Sequence, residues 1–558
     1  MITKKASLKE NQIYLKFPFS YEMVAKIKKI EGSIWSPKSK EWIIPFLNKN
    51  VTLLTSLDFV LNDNLKDKIS PLEPVSNLQI KPINVKMKKE LFPFQKIGVG
   101  FLEYKNGNAL LGDEMGLGKT IQALAWLSLH PEKLPVIIVC PATIKSNWYN
   151  EIQDWMVNPP LVQILQGKNP YIITGDILII NYDILPTWIG TLISLKPQIV
   201  ITDEAHYYKN NAAKRTKAAK ALIKISPHFI PISGTPIINR PIEFFNMLNL
   251  LAPSLFPNRW KFGHKYCAAK HTGFGWDLSG ASHTKELYES INNVLMIRRL
   301  KKDVLKDLPG KLYSHISLPL NNRTEYRTAE NDFKQYIRDD VENKARNAFN
   351  KMKDSEYGEL MQFDENKLKQ LQDDKENRIN ILTQIEILKQ LAVQGILPQA
   401  ISWIEDFLET GEKLIVFATH KFVIDSLMET FSNISVKIDG SVPTNKRQQT
   451  VDKFQKDKKI KLFIGNIKAA GIGITLTSAS SVAFLELPWT PGELVQAIDR
   501  THRIGQKKLV NVYFLIAANT VLQKIAKLLD KKRKVLNSVL DGGISDNKSL
   551  FAELIENI

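Results

Sequence analysis

From about residue 88 to 310, short apolar runs alternate with stretches whose apolar residues recur at helical spacing. The runs "NALLGD", "PVIIVCP", "DILIIN", "QIVITDE" and "HFIPISGT" are brief and rich in Ile and Val, which predicts strands buried on both faces. The stretches 119–130, 143–154 and 212–225 predict the helices between them. Strand and helix in alternation predict an α/β fold with a parallel sheet covered on both sides. The same texture returns from 391 in "EKLIVFAT", "ISVKIDG", "KLFIGN", "SVAFLEL" and "LVNVYFLI", predicting a second α/β lobe to about residue 540. Between the two, residues 311–390 are charged and helical, as in "YRTAENDFKQYIRDDVENKARNAF", and predict a solvated helical linker or protrusion. Residues 1–85 are lysine-rich without arginine and end in the proline-punctuated "SPLEPVSNLQIKPINV", which predicts a separate small α+β module. Residues 541–558 are left as a C-terminal tail.

Composition narrows the class. With 558 residues, 44% of them hydrophobic and 24% charged, the chain has material for two to four ordinary globular domains. The net charge of +19 favours polyanion partners, because phosphates neutralised by Lys and Arg release their condensed counterions. Cys140 and Cys267 have no C-x-x-C spacing, which excludes a disulfide scaffold and a four-cysteine zinc site and suits a reducing compartment. "MITKKASLKENQ" carries no signal-like apolar run and no stretch reaches membrane-spanning length, so a soluble, intracellular protein without a membrane partner is expected. The KKRK run at 531–534 sits in a segment with helical apolar spacing, and is read as a solvated helix face.

The candidate chemistry begins at "DEMGLGKT" (113–120), between a predicted strand and a predicted helix. A phosphate-binding loop is G-x-x-x-x-G-K-[ST], and here Asp113 stands at the first glycine. Residues Asp113, Glu114, Met115, Gly116, Leu117 and Gly118 would form the cradle, with main-chain N–H groups and a helix N-terminus supplying positive potential. Lys119 would reach the β- and γ-phosphates of ATP and Thr120 would hold Mg²⁺. "QIVITDEAH" then ends a strand in Asp203, a second Mg²⁺ candidate, and Glu204, placed to polarise an attacking water. Gln95 in "LFPFQKIGVGFL" is offered to an adenine edge, and Ser233 and Thr235 of "ISGTP" to coupling nucleotide state to the lobe. In the second lobe, Arg500 and Arg503 of "LVQAIDRTHRIGQ" lie three apart, one face of a helix end, and could act as arginine fingers on a γ-phosphate.

Eight segments in order resemble the Swi/Snf-type (Snf-two) ATPases of the superfamily-two helicase-like motors. They are "PFQ" (93–95), "DEMGLGKT" (113–120), "CPATIKSNW" (140–148), "DEAH" (203–206), "SGTP" (233–236), "IVFAT" (415–419), "NIKAAGIGITLT" (466–477) and "QAIDRTHRIGQ" (496–506). The family spells its phosphate loop D-E-M-G-L-G-K-T, so the resemblance makes Asp113 the family form. It implies two RecA-like lobes, ATP and Mg²⁺ as cofactors, and DNA contacts at Ser146, Asn147, Thr475 and Thr477. "SGTPIINRPIEFF", "LIVFATHKFVIDSL" and His502 look most like the annealing-helicase (HepA-related, HARP) branch, and residues 1–85 are similar to that branch's substrate-reading module. There "GSIWSPKSKEWIIPF" predicts a β-hairpin with Trp35 and Trp42 flanking the turn. Stacking on exposed bases and core packing of a small domain both explain these tryptophans.

The function expected is a monomeric, ATP-dependent double-stranded DNA translocase that remodels forked or protein-bound DNA by rewinding strands or moving branches. A strand-separating DNA or RNA helicase is the first alternative, and a non-catalytic DNA-binding scaffold the second. The presence of Lys119, Asp203, Glu204, Arg500 and Arg503 opposes the scaffold.

Overall fold

Every second side chain is buried in β1 (Lys5–Lys9) and β2 (Gln12–Lys16), where Ala6, Leu8, Ile13 and Leu15 face inward and the lysines outward. That period of two pairs them as an antiparallel hairpin with one wet face. Helix α1 (Tyr21–Lys28) starts at Ser20, whose hydroxyl accepts from Met23 N. β3 (Ile34–Ser36) and β4 (Glu41–Pro45) form the expected hairpin, and β5 (Val60–Leu61) pairs parallel with β1. The sheet order is β3-β4-β2-β1-β5. Its own core gathers Ile13, Leu15, Ile27, Ile44, Leu54 and Phe59.

The structure is a computed structural model. It describes residues 4–541 except 10–11, 31, 38, 47–49, 52, 55–56, 58, 63–64, 66–79, 238, 272–274, 337–364 and 468–472, and only the backbone over 365–382, 444–445 and 530–531. Most of the proline-punctuated link and part of the charged 311–390 stretch lie outside the described residues. By compactness the chain divides into two units. The first holds Met1–Ala268, Ala281–Asp307 and Val535–Ser545, and the second is mainly Leu308–Lys534 with Ala269–Gly280.

In the first unit, Ile80 is buried, Ile83 N donates to Lys96 O (3.2 Å), and a Cβ on Gly100 would lie 2.2 Å from Lys81 O. Residues 80–83 therefore pack on helix α2 (Pro93–Tyr104), and the expected boundary at 85 falls a few residues late. The five expected strands follow, β6 (Leu110–Leu111), β7 (Val136–Cys140), β9 (Ile177–Asn181), β10 (Ile199–Asp203) and β11 (His228–Ile232), and the short, mixed edge strand β8 (Val162–Ile164) joins them unforeseen. Interleaved helices are α3 (Lys119–Leu129), α4 (Lys145–Trp155), α5 (Leu185–Ser194) and α6 (Lys214–Ile225). After a two-stranded ribbon that belongs to the second unit, β12 (Lys270–His271) and β13 (Trp276–Asp277), the chain adds β14 (Met296–Ile297) to the first unit's sheet edge. The seven strands are parallel in the order β14-β6-β11-β10-β7-β9-β8. All five residues of β7, β9 and β11 are buried, and each such Val or Ile stabilises the fold by about 1.5–3 kcal/mol relative to exposure.

The second unit contains a six-stranded parallel sheet, ordered β15-β20-β19-β16-β18-β17. Its strands are β15 (Lys311–Leu318), β16 (Leu414–Ala418), β17 (Ser435–Ile438), β18 (Leu462–Asn466), β19 (Ser481–Phe484) and β20 (Val510–Ala517). Its helices include α7 (Glu365–Glu409), α8 (Lys421–Thr430), α9 (Thr444–Lys456), α10 (Pro491–Ile498) and α11 (Val521–Asp541) as far as Lys534, the rest of α11 being counted with the first unit. Two features differ from expectation. Residues 311–318, expected in the helical linker, form the edge strand β15; half its positions are exposed and polar residues interrupt it, so it lacks the apolar run of its neighbours. Helix α7 also continues past 390 and packs Ala392, Val393, Ile396 and Ile404 into the second core. Among the described residues no helix is long and apolar enough to cross a membrane.

Candidate active site

The sheet register gathers the first unit's chemistry. Ile232 of β11 lies beside Leu111 of β6 on one side and Asp203 of β10 on the other. The loops leaving these strands therefore start at one level, at the carboxyl edge where parallel sheets bind ligands. Ser233 N donates to Leu111 O (3.2 Å), and a Cβ on Gly234 would meet Met115 Cγ at 2.5 Å and Lys119 Nζ at 3.1 Å. The "SGTP" turn thus rests on the phosphate loop, with Ser233 and Thr235 buried.

Within the loop, Gly116 and Gly118 have φ of 83° and 73°, the left-handed region that favours glycine. Met115 and Leu117 anchor it by burial, and Gly118 precedes helix α3, whose first residues are Lys119 and Thr120. Lys119 Nζ donates to the carbonyls of Asp113 (2.8 Å) and Glu114 (3.3 Å). Burial lowers its pKa, and the charges of Asp113, Glu204 and Asp203 oppose that shift. Glu114 accepts from Lys301 N (2.7 Å). Gln95 is buried: its Oε1 accepts from Phe92 N (2.9 Å) and its Nε2 donates to Leu117 O (3.2 Å), so the adenine candidate is fastened to the loop itself.

Asp203 ends β10 with both carboxylate oxygens engaged. Oδ1 accepts from Glu204 N (2.8 Å) and Oδ2 from the indole Nε1 of Trp148 (2.9 Å). Tyr182 Oη donates to Asp203 O (2.8 Å). Burial, then the neighbouring Glu204 charge, pushes the Asp203 carboxyl up to about 6, with Trp148 and Lys119 opposing. Glu204 is held at φ 50°, a strained conformation of the kind found at functional turns, and its Oε2 lies 3.3 Å from His206 Nδ1.

Thr120 and Asp203 offer hard oxygen donors that suit Mg²⁺. Among the described residues no group of three His, Cys, Asp or Glu forms a self-contained metal site. A cation here would complete its shell from phosphate and water, the usual Mg²⁺ arrangement.

Of the proposed DNA contacts, Ser146 is exposed and Asn147 half-buried at the start of α4, immediately before Trp148. Trp35 and Trp42 face each other across β3 and β4 with ring centroids 5.6 Å apart. Trp42 packs on the module's core, whereas Trp35 is 46% exposed.

In the second unit, α10 stops at Ile498 and Arg500 and Arg503 follow in turns, not on the helix end the spacing suggested. Arg500 is buried, and its carbonyl accepts from Leu476 N (2.9 Å). Arg503 Nη1 donates to Thr475 Oγ1 (2.6 Å) and Ile474 O (3.2 Å). Gln455 and Gln506 hold Thr477 through its hydroxyl (3.4 Å) and carbonyl (3.3 Å). His502 Nε2 bonds Pro309 O (2.7 Å). Arginines and threonines thus form one hydrogen-bonded segment.

Sequence reasoning assigned no role to Trp148, Gln122, Arg298 or Arg299. Trp148 stood inside a quoted motif, and the arginine pair stands out in a chain whose cations are mostly lysine.

A glycine-cradled lysine and an acidic pair flanking β11 at one edge of a parallel sheet, followed in sequence by a second parallel α/β lobe, define a two-lobed P-loop architecture. Residues 94–392 match the SNF2-related domain and 399–505 the helicase conserved C-terminal domain. The chain belongs to the SNF2-related family. It is 30% identical over 557 residues to the Caenorhabditis elegans "SWI/SNF-related matrix-associated actin-dependent regulator of chromatin subfamily A-like protein 1 homolog", covering 94% of this chain and 74% of that one. The Xenopus tropicalis protein of that name without "homolog" is 32% identical over 491 residues, 87% of this chain and 48% of its own. The Bos taurus "DNA annealing helicase and endonuclease ZRANB3" is 32% identical over 500 residues, 86% of this chain and 43% of its own. The chain spans about half the length of the last two.

Proposed function

We propose that the protein hydrolyses ATP to translocate along double-stranded DNA, and uses that motion to rewind strands or move branches at forked or protein-bound sites. One observation carries the reading: the phosphate loop, the "SGTP" turn and Asp203-Glu204 leave neighbouring strands at one level, in a chain of the SNF2-related family. Lys119 neutralises the β- and γ-phosphates, and the loop's main-chain N–H groups orient them. Thr120 and Asp203 would hold Mg²⁺, which would shield phosphate charge. Glu204 orients the attacking water, and Arg500 and Arg503 supply positive charge to the transferred phosphoryl group. Ser146, Asn147, Thr475 and Thr477 contact DNA, and the +19 charge supports a polyanion partner. Relatives bearing the name "DNA annealing helicase" support rewinding over melting. Two buried cysteines without a disulfide support a reducing, intracellular setting.

The test sets third-strand displacement from a triplex beside separation of a tailed duplex, each with ATP and with Lys119→Ala as control. ATP-dependent loss of the third strand with the duplex intact is expected, and Lys119→Ala should abolish it. Efficient melting of the tailed duplex without third-strand displacement would transfer the protein to the strand-separating helicases.

A further inference from the structure

Asp113 occupies the place of the first glycine of a phosphate loop, and its side chain is wholly buried. Four donors converge on its carboxylate. Oδ1 accepts from Arg299 N (3.0 Å) and Arg299 Nε (2.8 Å), and Oδ2 accepts from Arg299 Nη2 and from Gln122 Nε2 (2.9 Å). Arg299 Nη2 also donates to Gln122 Oε1 (2.9 Å), closing a ring of three side chains. The guanidinium reaches further: Nη1 donates to Phe94 O, and its carbon lies 5.4 Å from the Phe94 ring centre. Gly98 gives the ring room, since a Cβ there would sit 1.8 Å from Gln122 Oε1 and 2.8 Å from Arg299 Nη2. Arg298 adds bonds from Nη1 to the carbonyls of Gly112 (2.8 Å) and Gly234 (3.2 Å), and from Nε to Asp541 (2.6 Å).

With four donors on two oxygens, Asp113 is committed to the protein interior and its carboxylate is not a phosphate contact. What it does is fasten. The loop contains two glycines in the left-handed region, so its backbone is intrinsically soft, and a soft loop loses ordering entropy when it closes on phosphate. A bidentate arginine–carboxylate pair fixes position and plane together, which a lysine cannot do.

We infer that Arg299, acting through Asp113 and Gln122, is a positioning residue that holds the start of the phosphate loop against the segment carrying Phe94 and Gln95, and so sets ATP affinity instead of the rate of the chemical step. The inference rests on the reading that this loop binds ATP. The loop's amides grip the phosphates alike before and during phosphoryl transfer. Loosening them weakens ground state and transition state together, which raises KM and leaves kcat.

The experiment compares wild type, Arg299→Lys, Gln122→Met and Lys119→Ala. It measures KM and kcat for ATP with saturating duplex DNA, equilibrium binding of a fluorescent ATP analogue without DNA, DNA affinity without nucleotide, and Tm. Arg299→Lys should raise both KM and the analogue's Kd about tenfold or more while kcat stays within about threefold, the scale expected when a binding group is displaced by a fraction of an ångström. Its DNA affinity should be unchanged. Gln122→Met, which keeps length and packing beside Gly98, should shift KM in the same direction by less. A folded Arg299→Lys with wild-type KM, or one that loses kcat at constant KM, overturns the inference. Should Arg299→Lys fail to fold, an unchanged KM in Gln122→Met overturns it equally. Normal hydrolysis by Lys119→Ala would instead remove the ATP-site reading itself. A dead Lys119→Ala beside a silent Arg299→Lys removes only the inference.

Discussion

At the scale of single residues, Trp148 joins two things that sequence kept apart. It lies one residue beyond Asn147 on α4, and its indole donates to Asp203 Oδ2 at 2.9 Å from a buried position. A hydrogen bond to an ionised, buried group contributes about 1.5–3 kcal/mol, and its loss leaves the carboxylate underserved. Trp148→Phe deletes the N–H and keeps most of the aromatic bulk. ATPase at saturating DNA should fall about tenfold, the low end for a misplaced reacting group, while DNA affinity measured without nucleotide stays at the wild-type value. Wild-type turnover in the folded variant would show that Asp203 needs no such partner. Lys119, Asp203 and Glu204 were legible because their spacing is local and their chemistry is written in residue type. Arg299 was not, because its partner Asp113 is 186 positions away and nothing in either neighbourhood points to the other.

Among elements, the strands carried by an apolar run or a hairpin turn were legible, and the edge strands β8 and β15 were not. β7 and β9 announce themselves as unbroken apolar runs, whereas β15 alternates Lys, Tyr, Ser and His at a sheet edge and reads as linker. Equally unforeseen is the charge cluster that ties three elements of the second unit. His420, after β16, meets Glu486 beyond β19 through Nδ1, and lies 3.4 Å through Nε2 from Glu386 on α7. Thr419 N and His420 N both donate to Glu486 Oε2, at 2.7 and 2.8 Å. Lys389 faces the same group, 3.2 Å from Glu386 and 4.7 Å over the Trp489 ring, and Trp489 Nε1 donates to Glu386 (3.2 Å). Hydrogen bonds to Glu386 and then Glu486 raise the His420 pKa to about 9, burial opposing. A pKa raised by folding means that the folded state holds the proton more tightly. The stabilisation is complete below the ordinary histidine value and disappears as pH rises through about 9. Partial solvent access reduces it to about 1–2 kcal/mol. Urea titrations of wild type and His420→Gln should therefore diverge at pH 6 and converge by pH 9.5. Parallel curves at both pH values would mean the imidazolium contributes nothing to stability.

For the molecule as a whole, the question is what the N-terminal sheet adds to the motor. Residues 4–65 build a five-stranded sheet with a core drawn from their own sequence, so their fold does not borrow side chains from the lobe sheet. The chain from Ile80 onward belongs with α2, which places the cut for a truncation before Ile80 and not at 85. Removing residues 1–79 should leave an ATPase with plain-duplex stimulation intact, because Lys119, Asp203 and Glu204 lie outside the deletion. What should be lost is the extra stimulation by forked DNA. Forks expose unpaired bases, and the module displays Trp35 at 46% exposure within a lysine-rich segment. Stacking one base on one aromatic side chain contributes about 1–3 kcal/mol, so Trp35→Ala alone should weaken fork binding about tenfold. Trp42→Ala gives the contrast. Its ring packs on the module's core, so it should lower Tm as well as fork binding, whereas Trp35→Ala leaves Tm unchanged. The ATPase of all four proteins, measured on fork and on duplex of equal length, decides the matter. Equal fork preference in the truncated and intact chains would mean that fork recognition resides in the motor lobes and that Trp35 is an ordinary surface residue.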